Sequence, residues 1–378
     1  MTAIDVRTAQ AALEDSPSIG SVLTSPREFT RETLAGVVTA LALIPEVISF
    51  SFVSGVDPKV ALFSSVVLGL VMSVFGGRPA VVTAAAGSIP LVIGPMGKTY
   101  GTGYILPTII LAGVIQIAFG LLGLARLTRF IPRSVMIGFV NSLGILIFFA
   151  QVPHILNVPW VVYPLFALTI GIVLLAPRLI TTIPAPLIAI VIVTAIVISG
   201  HLTVPNVGGN GGAMAPGLPG LTQFTVPLNL ETLAIIWPTA LSVAFVGLLE
   251  TLLTAKLVDD VTDTRSHKGK ESWALGVANI AAGFYGGIAG CAMIAQTVVN
   301  VKIGGGRTRV STAAAALVLL VLVTVLSDVM AQIPLVALAA VMMIAAVKTF
   351  DWHSVMPSTL RRMPKSETSV LIVTVVIT

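Results

Sequence analysis

Two carboxylates of this sequence lie in the middle of long apolar stretches, where charged groups are rare. Glu46 is the sole charged residue between Glu32 and Asp57, and Glu250 is isolated in the same way in the second half of the chain. An ionisable side chain inside a bilayer is costly and usually functional. Such a carboxylate can bind and release a proton or hold a cation. The alternative is a structural carboxylate at a water-filled crevice or in helix packing. Pro45 precedes Glu46 and predicts a kink beside it.

Two further segments, 80–95 and 286–306, are not expected to form continuous membrane-spanning helices, because they are rich in small residues and are interrupted by Gly or Pro. Paired broken spans indicate a solute site at the middle of the membrane, with the positive helix N-termini pointing at it. Thr83, Ser88 and Gln296 add polar side chains, and no Lys or Arg lies in the proposed centre. This pattern suits a weakly bound small anion without excluding a neutral solute. The alternative is small-residue helix packing.

The same features follow one another in both halves of the chain. A carboxylate-bearing span comes first, then an intervening span, and then Phe75-Gly76-Gly77 in one half and Tyr285-Gly286-Gly287 in the other, each leading into a broken segment. The order predicts an internal repeat. Because the first half counts seven spans, an odd number, the repeat is inverted.

The composition of the chain indicates the kind of fold that holds these residues. The chain has 378 residues, of which 56% are hydrophobic and 10% charged, whereas soluble domains carry about 25% charged residues. The apolar runs are too long and too uniform for β-barrel strands. We therefore predict an all-α polytopic membrane protein. The predicted spans are 33–55, 58–76, 80–96, 101–125, 133–152, 160–176, 184–200, 231–257, 272–288, 290–304, 309–329 and 331–347. An interfacial amphipathic helix is expected at 349–365, and a further span from about residue 369.

The basic residues predict the orientation of these spans. With the N-terminus in the cytoplasm, nineteen Lys and Arg residues face inside, and Lys59 and Lys98 face outside. This asymmetry follows the positive-inside rule. The net charge of +5 therefore reflects topology, and we expect no nucleic-acid partner. The charged run from Asp259 to Lys270 is interpreted as a solvated cytoplasmic loop.

Four regions follow from this topology. They are a cytoplasmic tail at 1–30, a first inverted repeat of seven spans at 31–200, an extracellular Gly/Pro-rich loop at 201–227, and a second repeat at 228–378. The apolar run Val370–Thr378 is too short to cross a bilayer. We therefore expect the second repeat, spans 8–13, to be truncated.

Other site chemistries are not supported by the sequence. Cys291 is the single cysteine, so an internal disulfide and a cysteine metal cluster are excluded. The four histidines are far apart in the predicted topology, and a nucleotide-binding Walker motif is absent. We expect no cofactor, no metal site and no enzymatic activity.

Several stretches together resemble the sulfate permease family of anion transporters. They are Leu34–Pro45, Phe75–Gly77, Tyr285–Gly290, Thr297–Asn300 and Gly305–Thr308, and the stretches after residue 285 are the most specific. The resemblance covers about residues 27–378. It implies fourteen spans in two inverted seven-span repeats, half-helices at spans 3 and 10, a core domain that rocks against a gate domain, and a cytoplasmic C-terminal STAS domain.

The resemblance also implies where the anion binds, between the third and tenth spans. Together with the polar groups above, it assigns the site to eight residues, Ala86, Gly87, Ser88, Ala292, Met293, Ile294, Ala295 and Gln296. An often-acidic position of the eighth span matches Glu250, and Thr254 lies one turn further on. Two features depart from many relatives: the tenth span has Met293 and Ile294 in place of Ser, Thr or Arg, and the first span carries Glu46. An acid in the first span favours proton coupling over exchange or a channel.

The sequence thus predicts a secondary transporter of small anions in the cell inner (plasma) membrane, working by alternating access as a homodimer. Proton-coupled symport of a dicarboxylate or a sulfate-like anion is ranked first, with Glu46, Glu250 and Thr254 as ion-coupling residues. A sodium-coupled bicarbonate symporter using Glu250 and Thr254 is the next alternative. A nucleobase-type proton symporter of the same architecture follows, and a channel or a membrane scaffold is the last class.

Overall fold

The computed structural model describes residues 19–123, 133–179, 184–209, 217–227, 229–356, 359 and 365–377. Contacts within the chain divide it into two compact units. Unit 1 consists of Met1–Arg126 and Ala215–Ser327, and unit 2 consists of Leu127–Met214 and Asp328–Thr378. Each unit therefore combines a stretch from the first half of the chain with a stretch from the second half.

The described elements are mostly helices, with two short strands among them. In chain order they are α1 (Ile19–Thr24), α2 (Pro26–Ser54), α3 (Pro58–Phe75), β1 (Thr83–Ala85), α4 (Ser88–Tyr100), α5 (Ile105–Leu121), α6 (Arg133–Gln151), α7 (Val162–Leu179), α8 (Ala185–Ser199), α9 (Leu230–Thr262), α10 (Lys268–Gly283), β2 (Gly290–Ala292), α11 (Ile294–Val298), a π-helical turn (Val299–Ile303), α12 (Arg309–Val325), α13 (Ser327–Ala331), α14 (Leu335–Thr349) and α15 (Lys365–Ile377).

Many of these helices suit a bilayer. Five described helical stretches are long and apolar enough to cross it: Pro26–Ser54, Pro58–Phe75, Thr102–Leu121, Ile137–His154 and Leu230–Thr262. Shorter apolar helices are α7, α8, α12, α14 and most of α15. The predicted polytopic helical membrane fold is confirmed.

Helix α2 shows how local sequence sets the ends of a span. It begins at Pro26, in the first turn, where a missing N–H breaks no helical hydrogen bond. It ends at Ser54, and the capping residue Gly55 has a φ of 71°, in the left-handed region that glycine adopts readily. Pro45 lies inside the helix and directly precedes Glu46, so the carboxylate sits beside the predicted kink.

Glycines let the helices of unit 1 pack backbone against backbone. A Cβ atom on Gly276 of α10 would lie 2.4 Å from the carbonyl oxygen of Gly113 in α5. A Cβ atom on Gly36 of α2 would lie 2.6 Å from the carbonyl oxygen of Ser311 in α12. Such close approach is typical of membrane helix pairs with small residues at the interface. These two interfaces hold the helices around the centre of unit 1.

The two predicted broken spans each consist of a strand followed by a helix. Strand β1 leads into α4, and β2 leads into α11 and the π-helical turn. The strands pair antiparallel, with Thr83 opposite Ala292 and Ala85 opposite Gly290. A non-helical segment at membrane depth needs partners for its backbone groups, because lipid offers none. The pairing supplies them and brings the two broken spans together.

Unit 2 is built around α6 and α14. Helix α6 packs against α14 and α15, and α14 also packs against α7 and α8. The Asn141 side chain joins α6 to the end of α14, since it accepts from the Asp351 N–H at 2.7 Å and donates to the Ser354 hydroxyl at 2.9 Å. Asn206 bridges to Pro334 at the start of α14.

Some predicted boundaries are shifted in the structure. The span predicted at 272–288 is α10, which starts and ends earlier because its first turn is polar and the chain turns after it toward β2. The span predicted at 331–347 starts at Leu335, since α13 is a separate short helix. The predicted interfacial helix at 349–365 contains a described 3-10 turn at Trp352–Val355, and residues 357–358 and 360–364 lie outside the described part of the chain.

The interpretation of residues 259–270 as a solvated loop was wrong in part. Residues 259–262 are the last turn of α9, and Asp259 is largely buried, whereas Asp263, Arg265, His267 and Lys270 are exposed as expected. Nε of Arg78 lies 3.1 Å from Oδ1 of Asp259 in the last turns of α9, and both side chains are largely buried. Arg78 also donates to the Thr264 hydroxyl at 2.7 Å. Burial lowers the pKa of the Arg78 guanidinium, and the carboxylates of Asp259 and Glu271 oppose that shift. The start of this run therefore belongs to an ion-paired cluster that joins α9 to the connection between α3 and β1.

Glu32 of α2 caps the start of α12. Its fully buried carboxylate accepts from the Arg307 N–H at 2.7 Å, from the Thr308 N–H at 3.2 Å and hydroxyl at 2.9 Å, and from the Ser311 N–H at 3.2 Å. The first N–H groups of a helix lack partners within the helix and carry partial positive charge. A buried carboxylate accepts hydrogen bonds from these N–H groups and balances their partial positive charge.

Replacing this cap should therefore destabilise the protein. In Glu32→Ala, several buried donors lose their acceptor, and we expect a loss of about 2 kcal/mol or more in the free energy of unfolding. Glu231→Ala is the matched control, because Glu231 is an exposed acid in the first turn of α9. Thermal unfolding in detergent would measure both. Equal melting temperatures for the two variants would contradict the assigned role of Glu32.

Candidate functional site

The candidate site lies entirely in unit 1, where β1 and β2 hold the starts of two helices side by side. Beyond the strands, the Met293 N–H donates to the Val82 carbonyl at 2.9 Å, and the Val82 N–H donates to the Thr297 hydroxyl at 3.0 Å. The Ala85 N–H donates to the Ser65 hydroxyl of α3 at 3.1 Å. The strands are therefore fixed by side chains as well as by each other.

Helix α9 supports β2 through two threonines. The Thr251 hydroxyl accepts from the Ala292 N–H at 3.0 Å. The Thr254 hydroxyl donates to the Glu250 carbonyl at 2.8 Å and lies 3.2 Å from the Ala292 carbonyl. Both backbone groups of Ala292 are thus engaged with α9. This arrangement fixes Glu250 beside the strand pair.

The Glu250 carboxylate meets the start of α4. Its Oε2 accepts from the Ser88 hydroxyl at 2.7 Å and lies 2.6 Å from Sγ of Cys291. Ser88 is the first residue of α4, and Cys291 is the central residue of β2. One carboxylate therefore contacts both broken spans.

The second carboxylate of the site belongs to Glu46. It is partly buried on α2, and the Gln296 side chain is its side-chain hydrogen-bond partner. Gln296 is the third residue of α11 and is 2% exposed. The two isolated carboxylates singled out in the sequence thus each contact a residue at the start of a broken-span helix.

The predicted substrate-binding residues differ in what they present. Ala86, Ser88, Met293 and Gln296 are buried, and Gly87 is the residue before the first turn of α4. Ile294 and Ala295 are exposed at the start of α11. The Ala292 side chain belongs to an apolar cluster with Ala80, Val81, Ala255, Val258 and Val301. Polar chemistry at the site therefore comes from backbone N–H groups, Ser88, Gln296 and the two carboxylates.

Sequence reasoning missed a buried amide pair beneath β2. The Asn279 side chain accepts from the Gly290 N–H at 2.8 Å and donates to the Gln116 Oε1 at 2.8 Å. Gln116 in turn donates to the Ala244 carbonyl at 3.4 Å. Each of these two amides lies in an otherwise apolar span. Because a buried amide in a membrane requires a hydrogen-bond partner, this pattern could have predicted that Gln116 and Asn279 meet.

Among the described residues, no group of three or more His, Cys, Asp and Glu side chains is arranged to hold a metal ion. The chemistry available in the described site is therefore hydrogen bonding, helix-terminal partial charge and carboxylate ionisation. An arrangement of this kind can hold a small anion and bind a coupling cation or proton beside it.

Comparison with known proteins identifies a matching family. The family model described as the sulfate permease family matches residues 29–165 and 159–374. A Bacillus subtilis protein, YbaR, whose name refers to sulfate transport, is 46% identical over 346 residues, which are 92% of this chain and 72% of that protein. The bicarbonate transporter BicA of a Picosynechococcus strain is 27% identical, and the match covers 86% of this chain and 62% of BicA. The chain thus spans less than two thirds of that second relative.

Solved structures give the same result for the fold. The transmembrane domain of a cyanobacterial bicarbonate transporter BicA superposes with a TM-score of 0.82 at 25% identity, over 92% of this chain and 94% of that one. Murine Solute Carrier 26 family member A9, an anion transporter in the inward-facing state, superposes with a TM-score of 0.80 at 18% identity, over 99% and 68% of the two chains. The second likeness concerns the fold alone.

The hydroxyl that joins the two broken spans provides a test of the site's construction. Thr297→Val keeps the shape of the side chain but leaves the buried Val82 N–H without its acceptor, so we expect a loss of about 1–3 kcal/mol in unfolding free energy. Thr324→Val is the matched control, because the exposed Thr324 hydroxyl bonds carbonyls of its own helix. Chemical unfolding in mixed micelles would compare them. A Thr297→Val protein as stable as the control would show that this hydrogen bond does not hold the strands.

Proposed function

Because the chain belongs to the sulfate permease family, we propose that it carries a small anion across a cell membrane as a secondary transporter. The observation that supports this most is the strand pair, which holds the starts of α4 and α11 side by side with buried polar groups around them. Family membership places the chain among transporters rather than enzymes. The substrate and the coupling ion belong to the proposal.

The proposed anion site uses the starts of the two helices. The N–H groups in the first turn of α4 and of α11 lack helical acceptors and carry partial positive charge. Helix α11 itself has five residues and continues into the π-helical turn. Ser88 and Gln296 add side-chain donors. The site residues from Ala86 to Ser88 and from Ala292 to Gln296 contain no Lys or Arg. Such a site binds an anion without the strong charge pairing that would slow its release.

The division into two units supports a transport mechanism by alternating access. We infer that unit 1 is the core domain, because it holds all the proposed anion-binding and coupling residues, and that unit 2 is the gate domain. We also retain the predicted repeats at 31–200 and 228–378, a cytoplasmic N-terminus, a plasma-membrane location and a homodimer as parts of the proposal. The antiparallel pairing of β1 with β2 supports the inverted relation of the two repeats.

Proton coupling through Glu46 is the coupling we rank first, with a dicarboxylate or a sulfate-like anion as substrate. Glu46 lies well inside α2. The other charged residues of that helix are Glu32 and residues before it, near the start of the helix. Its partner is Gln296 of the anion site, so a proton on Glu46 would alter the surroundings of the anion directly. The resemblance of the chain to proteins named for sulfate transport supports this substrate class.

A sodium-coupled bicarbonate symporter is the second candidate. The Glu250 carboxylate lies one turn from Thr254, and oxygen groups of this kind suit a hard cation. The similarity to a bicarbonate transporter supports this candidate. A nucleobase symporter has less support, because Met293 and Ile294 offer no side-chain hydrogen bonds to a nucleobase.

Proton coupling can be tested in proteoliposomes. One pH unit across the membrane supplies about 1.4 kcal/mol per proton, which suffices for about tenfold accumulation. With an inward proton gradient, the wild-type protein should accumulate sulfate or oxalate, and Glu46→Gln should lose accumulation while still exchanging internal for external anion. Uptake that ignores the gradient in both proteins would rule out the proton role of Glu46.

The sodium alternative is separated by changing the cation. We expect accumulation driven by a proton gradient to persist when choline replaces sodium, because Glu46 rather than the Glu250–Thr254 pair would carry the coupling ion. Bicarbonate and sulfate uptake, each measured with and without a sodium gradient, would check this. Accumulation that requires sodium and is lost in Thr254→Val, but not in Thr324→Val, would favour the second candidate.

A further inference from the structure

Gln296 carries a buried oxygen that has no hydrogen-bond partner among the described residues. Its Oε1 is buried and accepts no hydrogen bond from any described residue, although the whole side chain is 2% exposed. Helix α11, which carries Gln296, packs against α2, which carries Glu46, and the two side chains are within reach of a hydrogen bond. Leaving a buried acceptor unpaired is destabilising and calls for an explanation.

Hydrogen-bond capacity explains the arrangement. An ionised carboxylate accepts hydrogen bonds and donates none, whereas a glutamine amide has two N–H donors and one oxygen acceptor. An ionised Glu46 can therefore pair with Nε2 of Gln296 alone. Oε1 must then point elsewhere and remain without a donor.

Protonation of Glu46 changes this balance. A carboxylic acid has an O–H donor, which can pair with Oε1 of Gln296 once the amide turns by half a revolution about its last torsion. That torsion is broad and nearly two-fold, so the turned amide fits the same space. Nε2 then takes the position that Oε1 occupies now, at the start of α11. A donor replaces an acceptor at the place where the anion is proposed to bind.

We propose that Gln296 is a relay that presents its amide donor to the anion when Glu46 is protonated and withdraws it when Glu46 is ionised. The relay rests on the proposed function and adds the step by which proton and anion binding are linked. Linkage is reciprocal, so the anion favours protonated Glu46 as much as the proton favours the bound anion. With Glu46 ionised, the relay keeps an acceptor, Oε1, where a donor would be needed, and this opposes anion binding without a proton.

Among the described residues, few ionisable side chains belong to the elements that pack closely against α2. The elements packed against α2 are α1, α3, β1, α4, α11, the π-helical turn and α12, and their ionisable side chains lie near element ends. These side chains are Lys59, Lys98, Tyr100, Lys302 and Arg309. Glu250 is the other carboxylate of the site, and it is held by Ser88 and Cys291 instead.

The test measures how anion affinity depends on pH. Sulfate and oxalate, both ionised over this range, would be titrated into detergent-solubilised full chain at about pH 6 and about pH 8, between which the proton concentration differs about a hundredfold. The proteins are the wild type, Glu46→Gln, Gln296→Met and the control Gln332→Met. Gln332 is an exposed glutamine of unit 2 whose amide bonds the backbone of its own segment.

The relay predicts a distinct result for each protein. Wild type and Gln332→Met should bind about tenfold more tightly at the lower pH. Gln296→Met should bind weakly at both pH values, because methionine keeps the length of the side chain and removes the donor. Glu46→Gln should show an affinity that does not change with pH. If Gln296→Met is poorly folded, Gln296→Asn takes its place, because its shorter amide cannot span the same contact.

Contrary results separate the relay from the proposed function. If Gln296→Met retains the tenfold pH dependence and Glu46→Gln loses it, the relay is wrong and proton coupling through Glu46 stands. If wild-type affinity is independent of pH, or neither anion binds, both the relay and the proposed proton-coupled transport are wrong.

Infrared difference spectra of wild type minus Glu46→Gln give a readout without any anion. The C=O band of the protonated Glu46 carboxyl should shift in Gln296→Met, and an unshifted band would overturn the relay.

Discussion

The constraint on which unit 1 depends is that two unwound segments at membrane depth must find backbone partners where lipid supplies none. Pairing β1 with β2 meets this requirement, and it joins residues about two hundred positions apart in the chain, such as Thr83 and Ala292. The same pairing places the starts of α4 and α11 next to each other. The anion site that we propose at these helix starts is thus a consequence of how the backbone is satisfied.

The surrounding spans keep that pairing in place. Close glycine contacts between α5 and α10 and between α2 and α12 bring backbones together, and buried hydroxyl and amide groups on α9 and α10 bond the strand edges. At the chain segments that follow α3 and precede α12, Glu271 and Glu32 accept backbone N–H groups. These two carboxylates therefore fix connections between helices, whereas Glu46 and Glu250 are the carboxylates for which we propose a coupling role.

Local signals in the sequence were sufficient to predict the helical spans and the two broken segments, and to single out Glu46 and Glu250 as isolated carboxylates. Contacts between distant segments were not predictable, because neither periodicity nor composition reports which side chains meet. The pairing of Glu250 with Ser88 and Cys291, the cap by Glu32 and the Arg78–Asp259 ion pair all join residues more than forty positions apart, or nearly three hundred in the case of Glu32. The solvated-loop interpretation was wrong for Asp259 for that reason, since Asp259 has its partner Arg78 in the other half of the chain.

The most direct test of this account is to locate a bound anion. Crystals grown with selenate, a heavier analogue of sulfate, would show its position by anomalous scattering at the selenium edge. The account predicts a peak at the starts of α4 and α11, within hydrogen-bonding distance of the first-turn N–H groups at Ser88 and Gln296. A peak elsewhere in unit 1, with these two helix starts unoccupied, would contradict it.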